Sequence, residues 1–363
     1  GNQIPAARLD PVALKLAQYW PAPNFRSAVY NYISQGNATS DYNNFGIKAD
    51  HNLSARDRLT LAAFWRPAHS WDPVMATRSP IPLFGSTNDT LQLLSYIRYL
   101  RSLTPSAYLE ASANFSRRTN YQVWPYSADR DWAAETGFYG GTRNPIAAGP
   151  PYVQVTGFMI LGPAYDIPKI WAYNNYQYAA TATWIRGRHS MKFGGDFLRY
   201  QYFSRNYGDT RGRVSFDGRF TNHSMADYVL GWITSSRRQL DAAGPYHLAS
   251  SYSAFFQDDL KVTPSLTLNL GLRYEIMKPP REKFGALAMF MPPLAKVVVA
   301  GTGTLSRQEF EQRLASTGLA NYVVRASEVS LPPTIVKNDW TNLAPRFGFA
   351  WRPWGSRRSV VRG

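Results

Sequence analysis

The side chains best equipped for chemistry in this 363-residue chain are the adjacent carboxylates Asp258 and Asp259 and five histidines, His51, His69, His189, His223 and His247. Two carboxylates can divide general-acid and general-base work when both reach one substrate. Here they fall inside SYSAFFQDDLKVTPSLTLNLGLRYEIM, residues 251–277, whose alternation reads as strand, and neighbours in a strand point to opposite faces. They cannot share a substrate. Asp259 is expected on the polar face beside an Arg or Lys, and Asp258 near a turn. The histidines are scattered, without HExxH or any paired spacing, and no GxSxG, Walker loop or GxGxxG occurs. With no cysteine, thiol and disulfide chemistry are also absent. No catalytic residue, metal site or cofactor is expected, and the chain does not read as an enzyme.

The composition points to surfaces instead. Aromatic residues make up 15% of the chain, with 23 Tyr, 19 Phe and 11 Trp, which suits interfacial girdles or a sugar-binding face better than an average core. Trp71, Trp124, Tyr126, Trp132, Phe138, Tyr139, Tyr152 and Tyr165 fall in irregular stretches. There they can stack on an external ligand, or equally pack the loops against one another. The formal charge is +16, from 40 Lys and Arg against 24 Asp and Glu. Such a surface attracts nucleic acid, anionic lipid or phosphate-bearing lipopolysaccharide. Arg117-Arg118, Arg186-Gly187-Arg188, Arg237-Arg238 and Arg357-Arg358 fall mostly beside turns and strand ends. That placement favours charges parked where a strand leaves a bilayer over a nucleic-acid patch.

The elements that must position these groups are strands. Leu266, Leu268, Leu270, Leu272, Tyr274 and Ile276 share one parity; Thr267, Asn269, Gly271, Arg273 and Glu275 share the other. The first set is regular enough to face hydrocarbon, and the second carries an Arg/Glu pair unsuited to a globular core. Strands of about 9–11 residues or more, apolar outside and polar inside, build transmembrane β-barrels. Related hairpins recur at 44–65, 91–121 and 173–205, and a last strand at 342–351 leads through a turn at 352–356 into another. On the third of these, Met191, Phe193 and Phe197 oppose Lys192 and Asp196. Lys192, Asp196, Asn269, Arg273 and Glu275 are therefore the lumen-facing candidates. The 91–103 strand alternates poorly and leaves its facing open.

Residues 67–90, 122–171, 206–245 and 278–339 read as long loops, the last with a helical piece near 306–314. Residues 1–42 read as a loop segment containing a helix-compatible stretch, and 43–363 as a partial barrel domain. About ten strands alternate short turns with long loops. The expected fold is an all-β, antiparallel transmembrane β-barrel section with periplasmic turns and extracellular loops. No apolar run approaches the roughly 20 residues of a membrane helix.

Several segments resemble one family. SYSAFFQDDLKVTPSLTLNLGLRYE is similar to the "FxQDxWxxTpxLTLNxGLRYE" segment of TonB-dependent outer-membrane receptors, with Leu260 where Trp is usual. NFGIKADHNLSARDRLT, TWIRGRHSMKFGGDFLRYQ, FDGRFTNHSMADYVLG and NLAPRFGFAWRPWG resemble, in order, segments of the Oar-like branch, which carries a carboxypeptidase-regulatory-like domain at its N-terminus. GNQIPAARLDPVALKLAQYWPAPN resembles a loop of the same branch. The resemblance implies a bacterial outer-membrane receptor with a 22-stranded barrel, of which this chain is a central section. On that reading the plug, the signal peptide and the last strands lie elsewhere. It also implies partners: outer-membrane lipid and lipopolysaccharide, a TonB complex acting through the plug, and a siderophore, oligosaccharide or peptide ligand. A passive barrel and a soluble all-β carbohydrate-binding or adhesion module are the alternatives.

Overall fold

The computed structural model describes residues 3–27, 31–74, 81–239, 244–353 and 359–363. In chain order the strands are β1 (Thr39–Tyr42), β2 (Phe45–Asn52), β3 (Asp57–Asp72), β4 (Ser86–Thr104), β5 (Ala107–Val123), β6 (Tyr152–Val155), β7 (Lys169–Arg186), β8 (His189–Asn206) and β9 (Arg213–Phe216). They continue as β10 (Ser235–Arg237), β11 (Tyr246–Thr263), β12 (Leu266–Glu282), β13 (Ala288–Met291), β14 (Lys296–Val299), β15 (Val323–Arg325), β16 (Leu343–Trp351) and β17 (Val361–Arg362). The helices are α1 (Pro11–Ala17), α2 (Trp132–Thr136), α3 (Ser224–Val229) and α4 (Arg307–Ser316).

Eleven strands form one open antiparallel sheet in the order β1-β3-β4-β5-β7-β8-β11-β12-β16-β17, with β2 also pairing β3. The hairpins keep their parity through their middles, with register shifts near strand ends at Ser102/Thr104, Leu248/Ser250 and Lys261/Thr263. Leu270 stands opposite Asp258 and Phe347, and Phe256 opposite Phe193 and Leu272. The apolar rows thus join across the sheet into one face, and the polar rows into the other. The apolar face stays uncovered, with Leu272 45% and Phe347 70% exposed. Contiguous apolar area of this kind belongs against lipid. The pairing also settles β4. Ile97 opposes Leu61 and Ala113, so the odd-numbered residues of β4 share the apolar face, and Leu94, Tyr96 and Arg98 lie on the polar face.

The strands outrun the alternation that announced them. The seven long ones, β3, β4, β5, β7, β8, β11 and β12, carry 16–19 residues. A crossing needs only about 9–11, so their ends project beyond the hydrocarbon, where nothing selects apolar residues. The expected loop 67–90 shrinks accordingly: β3 reaches Asp72, and Trp71 is a strand residue paired with Thr39 and Thr87. Pro67 interrupts nothing, because its carbonyl accepts from Asn43 N–H (3.2 Å) on the edge where β1 gives way to β2. Its missing donor falls in that gap. Thr39–Tyr42 likewise belongs to the sheet rather than to a loop segment.

The other long connections carry structure of their own. Parallel β6 and β9 with β10 form one small sheet; β13, β14 and β15 form another. The expected helix near 306–314 is α4, whose Ser306 and Glu309 form a reciprocal capping box. The turn expected at 352–356 and the Arg357-Arg358 pair lie largely outside the described residues.

Candidate functional site

On the polar face three of the five lumen candidates come together. Asp196, Ser253 and Glu275 occupy one row across β8, β11 and β12. Arg273 lies two residues from Glu275 on the same face. Its Nε donates to Glu275 Oε1, its Nη2 lies 3.8 Å from Asp196 Oδ1, and Ser253 Oγ donates to Asp196 Oδ1. One guanidinium therefore serves two carboxylates on two strands and bridges the strand between them. Asn269 sits lower and donates through Nδ2 to Asp259 Oδ1 (2.6 Å). Lys192, opposite Gln257, is exposed and stands apart from the cluster.

The partner expected for Asp259 is corrected: amides hold it, from Asn269 and from Gln257 Nε2 (3.5 Å), because those side chains share its row and its strand. Asp258, one residue earlier, faces the apolar side, where Oδ2 meets His189 Nδ1 at 2.6 Å. Opposite facing separates the two carboxylates as the strand geometry requires. Two further pairings on the polar face were missed. Asp50 accepts from Thr60 Oγ1 (2.6 Å) and pairs with Lys48 (3.2 Å) and Arg58 (3.3 Å), and Arg98 lies 3.4 Å from Glu110. The first was available from the register of the β2–β3 hairpin. The second needed the facing of β4.

Above the sheet, the connections on the long-loop side fold into a cap. Its core gathers Leu16 of α1, Phe84, Trp124, Trp132 of α2, Val153 of β6, Phe216 of β9 and Tyr228 of α3. Trp124 is only 1% exposed and donates Nε1–H to Leu83 O (3.0 Å); Trp132 Nε1–H goes to Tyr126 O (3.1 Å). Tyr152 is buried too and meets Tyr165 edge-on at 5.3 Å. These three rings pack the cap and present no face to an external ligand. Aromatic rings without a tight repeat carry no sign of burial in sequence. Tyr126 and Tyr139 are exposed and Tyr165 half-buried under Arg213, while Trp71 lies half-buried on the apolar face of β3.

Two charged residues lock the cap from within. Arg211, 3% exposed, donates to the carbonyls of Ala147 (3.3 Å), Ala164 (2.7 Å) and Ile167 (2.7 Å). Burial pulls its pKa down to about 10, against the pull of Asp166. Asp227, fully buried, accepts from Phe220 N–H (3.2 Å), Thr221 N–H (2.9 Å) and Thr221 Oγ1 (2.6 Å). Burial likewise raises Tyr228, whose hydroxyl donates to Ala13 O (2.7 Å), and, with its bond to Glu135, pushes Tyr19 up to about 12.

At the outer end of β12, beyond the hydrocarbon crossing, Glu282 accepts three backbone N–H groups: Tyr246 (3.0 Å), Phe284 (2.7 Å) and Ala286 (2.8 Å). Burial acts to raise its pKa, but the three amides outweigh it and hold the carboxyl below the ordinary range. Among the described residues no three His, Asp or Glu side chains gather to hold a metal.

A sheet with one uncovered apolar face, a charged opposite face and capping loops at one end is the geometry of a barrel wall. The sequence agrees: residues 1–363 match the outer membrane beta barrel domain. The chain belongs to that family. It resides in the bacterial outer membrane. Similar solved structures include the outer membrane transporter YddB from Escherichia coli, at 9% identity and TM-score 0.44, covering 88% of this chain and 31% of that one. The siderophore receptor PiuA from Acinetobacter baumannii gives 12% and 0.42, with 89% and 42% covered. The ferric-catecholate import receptor Fiu from Escherichia coli K12 gives 11% and 0.41, with 88% and 42% covered. The chain thus spans less than half the length of each. No curated protein matches it.

Proposed function

We propose that this barrel domain supplies wall, interior lining and outer loops to a TonB-dependent receptor of the Oar-like branch, which takes up a ligand under energy from the inner membrane. The observation that carries this reading is the Asp196–Arg273–Glu275 cluster, a part-exposed, internally paired network on the face opposite the apolar one. Such a face suits a lumen filled by a polar plug, and the ordered family segments agree with it. In this account the exposed cap rings Tyr126 and Tyr139, with Tyr165 behind them, meet the ligand first. Lys192, Asp196, Asn269, Arg273 and Glu275 line the route within. A siderophore, an oligosaccharide or a peptide fits such rings.

The test compares cells expressing the intact protein with cells lacking it, each with and without a collapsed proton gradient. Ferric-siderophore, oligosaccharide and peptide probes are followed into the periplasm. Accumulation that needs both the protein and the gradient is expected; uptake that persists without the gradient would mark a passive barrel instead.

A further inference from the structure

The polar face carries one apolar patch. Phe64 and Leu94, cross-strand partners on β3 and β4, are 43% and 45% exposed where period two calls for polar residues. One row nearer the long-loop end, six residues stand in register across β3, β4, β5, β7, β8 and β11: Arg66, Gln92, Arg118, Tyr173, Tyr202 and His247. The last three rings stack along the row. Tyr173 and Tyr202 have centroids 4.4 Å apart and planes 17° from parallel, and Tyr202 and His247 6.1 Å and 10°. Where this row meets the apolar patch lies a cavity of about 600 Å³, within the usual size of a small-ligand site. Its lining includes Phe64, Leu94, Arg66, Gln92, Arg118 and Tyr173.

The charge in this cavity is unbalanced. Elsewhere on the polar face, Arg58 meets Asp50, Arg98 meets Glu110, and Arg273 meets Asp196 and Glu275. Among the described residues, the guanidinium groups of Arg66 and Arg118 have neither a carboxylate nor a hydrogen-bond partner. Arg66 lies over the Tyr42 ring at 4.1 Å and Arg118 over the Trp171 ring at 5.4 Å. Contact with a ring face steadies a guanidinium and leaves the N–H groups at its rim for a carboxylate. No Asp or Glu of the described residues lines the cavity, so it repels a bare cation and attracts an anion.

We propose that this cavity binds a dicarboxylate whose charges are held apart by an apolar, ring-sized spacer. The two arginines lie on strands separated by β4, so their Cα atoms stand roughly 10 Å apart at about 4.8 Å per strand. One carboxylate takes each guanidinium, the spacer lies on Phe64 and Leu94, and Gln92 stands between the two charges. The Tyr173 ring, backed by Tyr202, closes the Arg118 end. A sugar would set its hydroxyls against the apolar patch, and a phosphate or a small diacid would leave that patch wet. The site rests on the receptor reading, which makes this face a lumen, and it narrows the cargo to one chemistry.

The test titrates the intact protein in detergent micelles by calorimetry with biphenyl dicarboxylate, biphenyl monocarboxylate and succinate. The biphenyl diacid should bind and succinate should not. The monoacid should bind about tenfold or more weaker, the loss expected when one charge-assisted pair is removed. R66Q/R118Q should lose about tenfold or more as well. R58Q/R346Q, equal in charge removed and on the same face, should lose nothing. Leu94→Gln, which wets the patch and leaves both arginines, should weaken binding severalfold. No binding of the diacid, equal affinity for the monoacid or succinate, full affinity of R66Q/R118Q, or an equal loss in R58Q/R346Q overturns the site. If R66Q/R118Q keeps full affinity and melts at a lower temperature, the arginines hold a carboxylate of the protein itself. Full affinity of Leu94→Gln overturns the apolar spacer. Titration needs no proton gradient, so loss of energised uptake with binding intact counts against the receptor reading alone. Uptake of another cargo without diacid binding counts against this site alone.

Discussion

Arg273 and Asp196 approach to 3.8 Å although they lie on strands that never pair, β12 and β8, with β11 between them. The contact is a staple over a strand, and Ser253 of the bridged strand completes it by donating to Asp196.

The staple should behave as one unit. Arg273→Gln and Asp196→Asn are each expected to destabilise by up to about 1 kcal/mol, since both groups are part-exposed. The double variant should cost clearly less than the sum. Thermal unfolding in detergent, arranged as a double-mutant cycle, checks this; strict additivity would mean the groups do not interact.

The facing of the sheet predicts an asymmetry between neighbours. Leu270→Arg and Leu272→Arg put a charge on the uncovered apolar face and should cost about 2–4 kcal/mol each in a bilayer. Asn269→Arg, one residue away but on the polar face, should cost less than about 1 kcal/mol. Folding yield into lipid vesicles against denaturant reads the difference, and similar losses at 269 and 270 would sink the assignment of faces.

Arg211 should be the keystone of the cap. Arg211→Met keeps much of the side-chain volume but leaves three buried carbonyls without a donor, at a cost of about 3 kcal/mol or more. The cap should become sensitive to protease while the wall strands stay protected from hydrogen exchange. Unchanged cleavage of residues 124–168 would refute the role.

Glu282 gives a pH dependence with a defined sign. Its folded pKa is depressed, so its contribution is present above the ordinary Glu value of about 4.3 and is lost as pH falls through the lower folded value. Exchange at the amides of Tyr246, Phe284 and Ala286 should therefore rise below about pH 4. In Glu282→Gln these amides should be less protected at neutral pH and show no such transition. Amide exchange followed from pH 7 to pH 3 distinguishes the two proteins.

The exposed and buried cap rings should separate by what they break. Trp124→Ala removes a fully buried indole and should cost about 3–5 kcal/mol of cap stability. Tyr139→Ala, on an exposed ring, should leave stability within about 0.5 kcal/mol. Urea titration of tryptophan fluorescence is the measurement, and equal losses would contradict the packing.

The alternation of residues 266–276 by itself determined that this region is a sheet with one apolar and one polar face, and repeated hairpins extended that to the wall. The placement of Lys192, Asp196, Asn269, Arg273 and Glu275 on the polar face also follows from period two alone, because side chains of one parity share a side. Tertiary structure decided which of them meet. Asp196 and Arg273 are separated by 77 positions in the chain and by one whole strand in the sheet, a relation set by register across two strand pairings, one of them closed only through the long 207–245 connection. It decided the facing of β4 in the same way, through neighbours on both edges. It also decided that Trp124, Trp132 and Tyr152 are core rather than surface. A cap assembled from four distant loop segments buries rings by contact between segments, and no local pattern in any one of them records that contact.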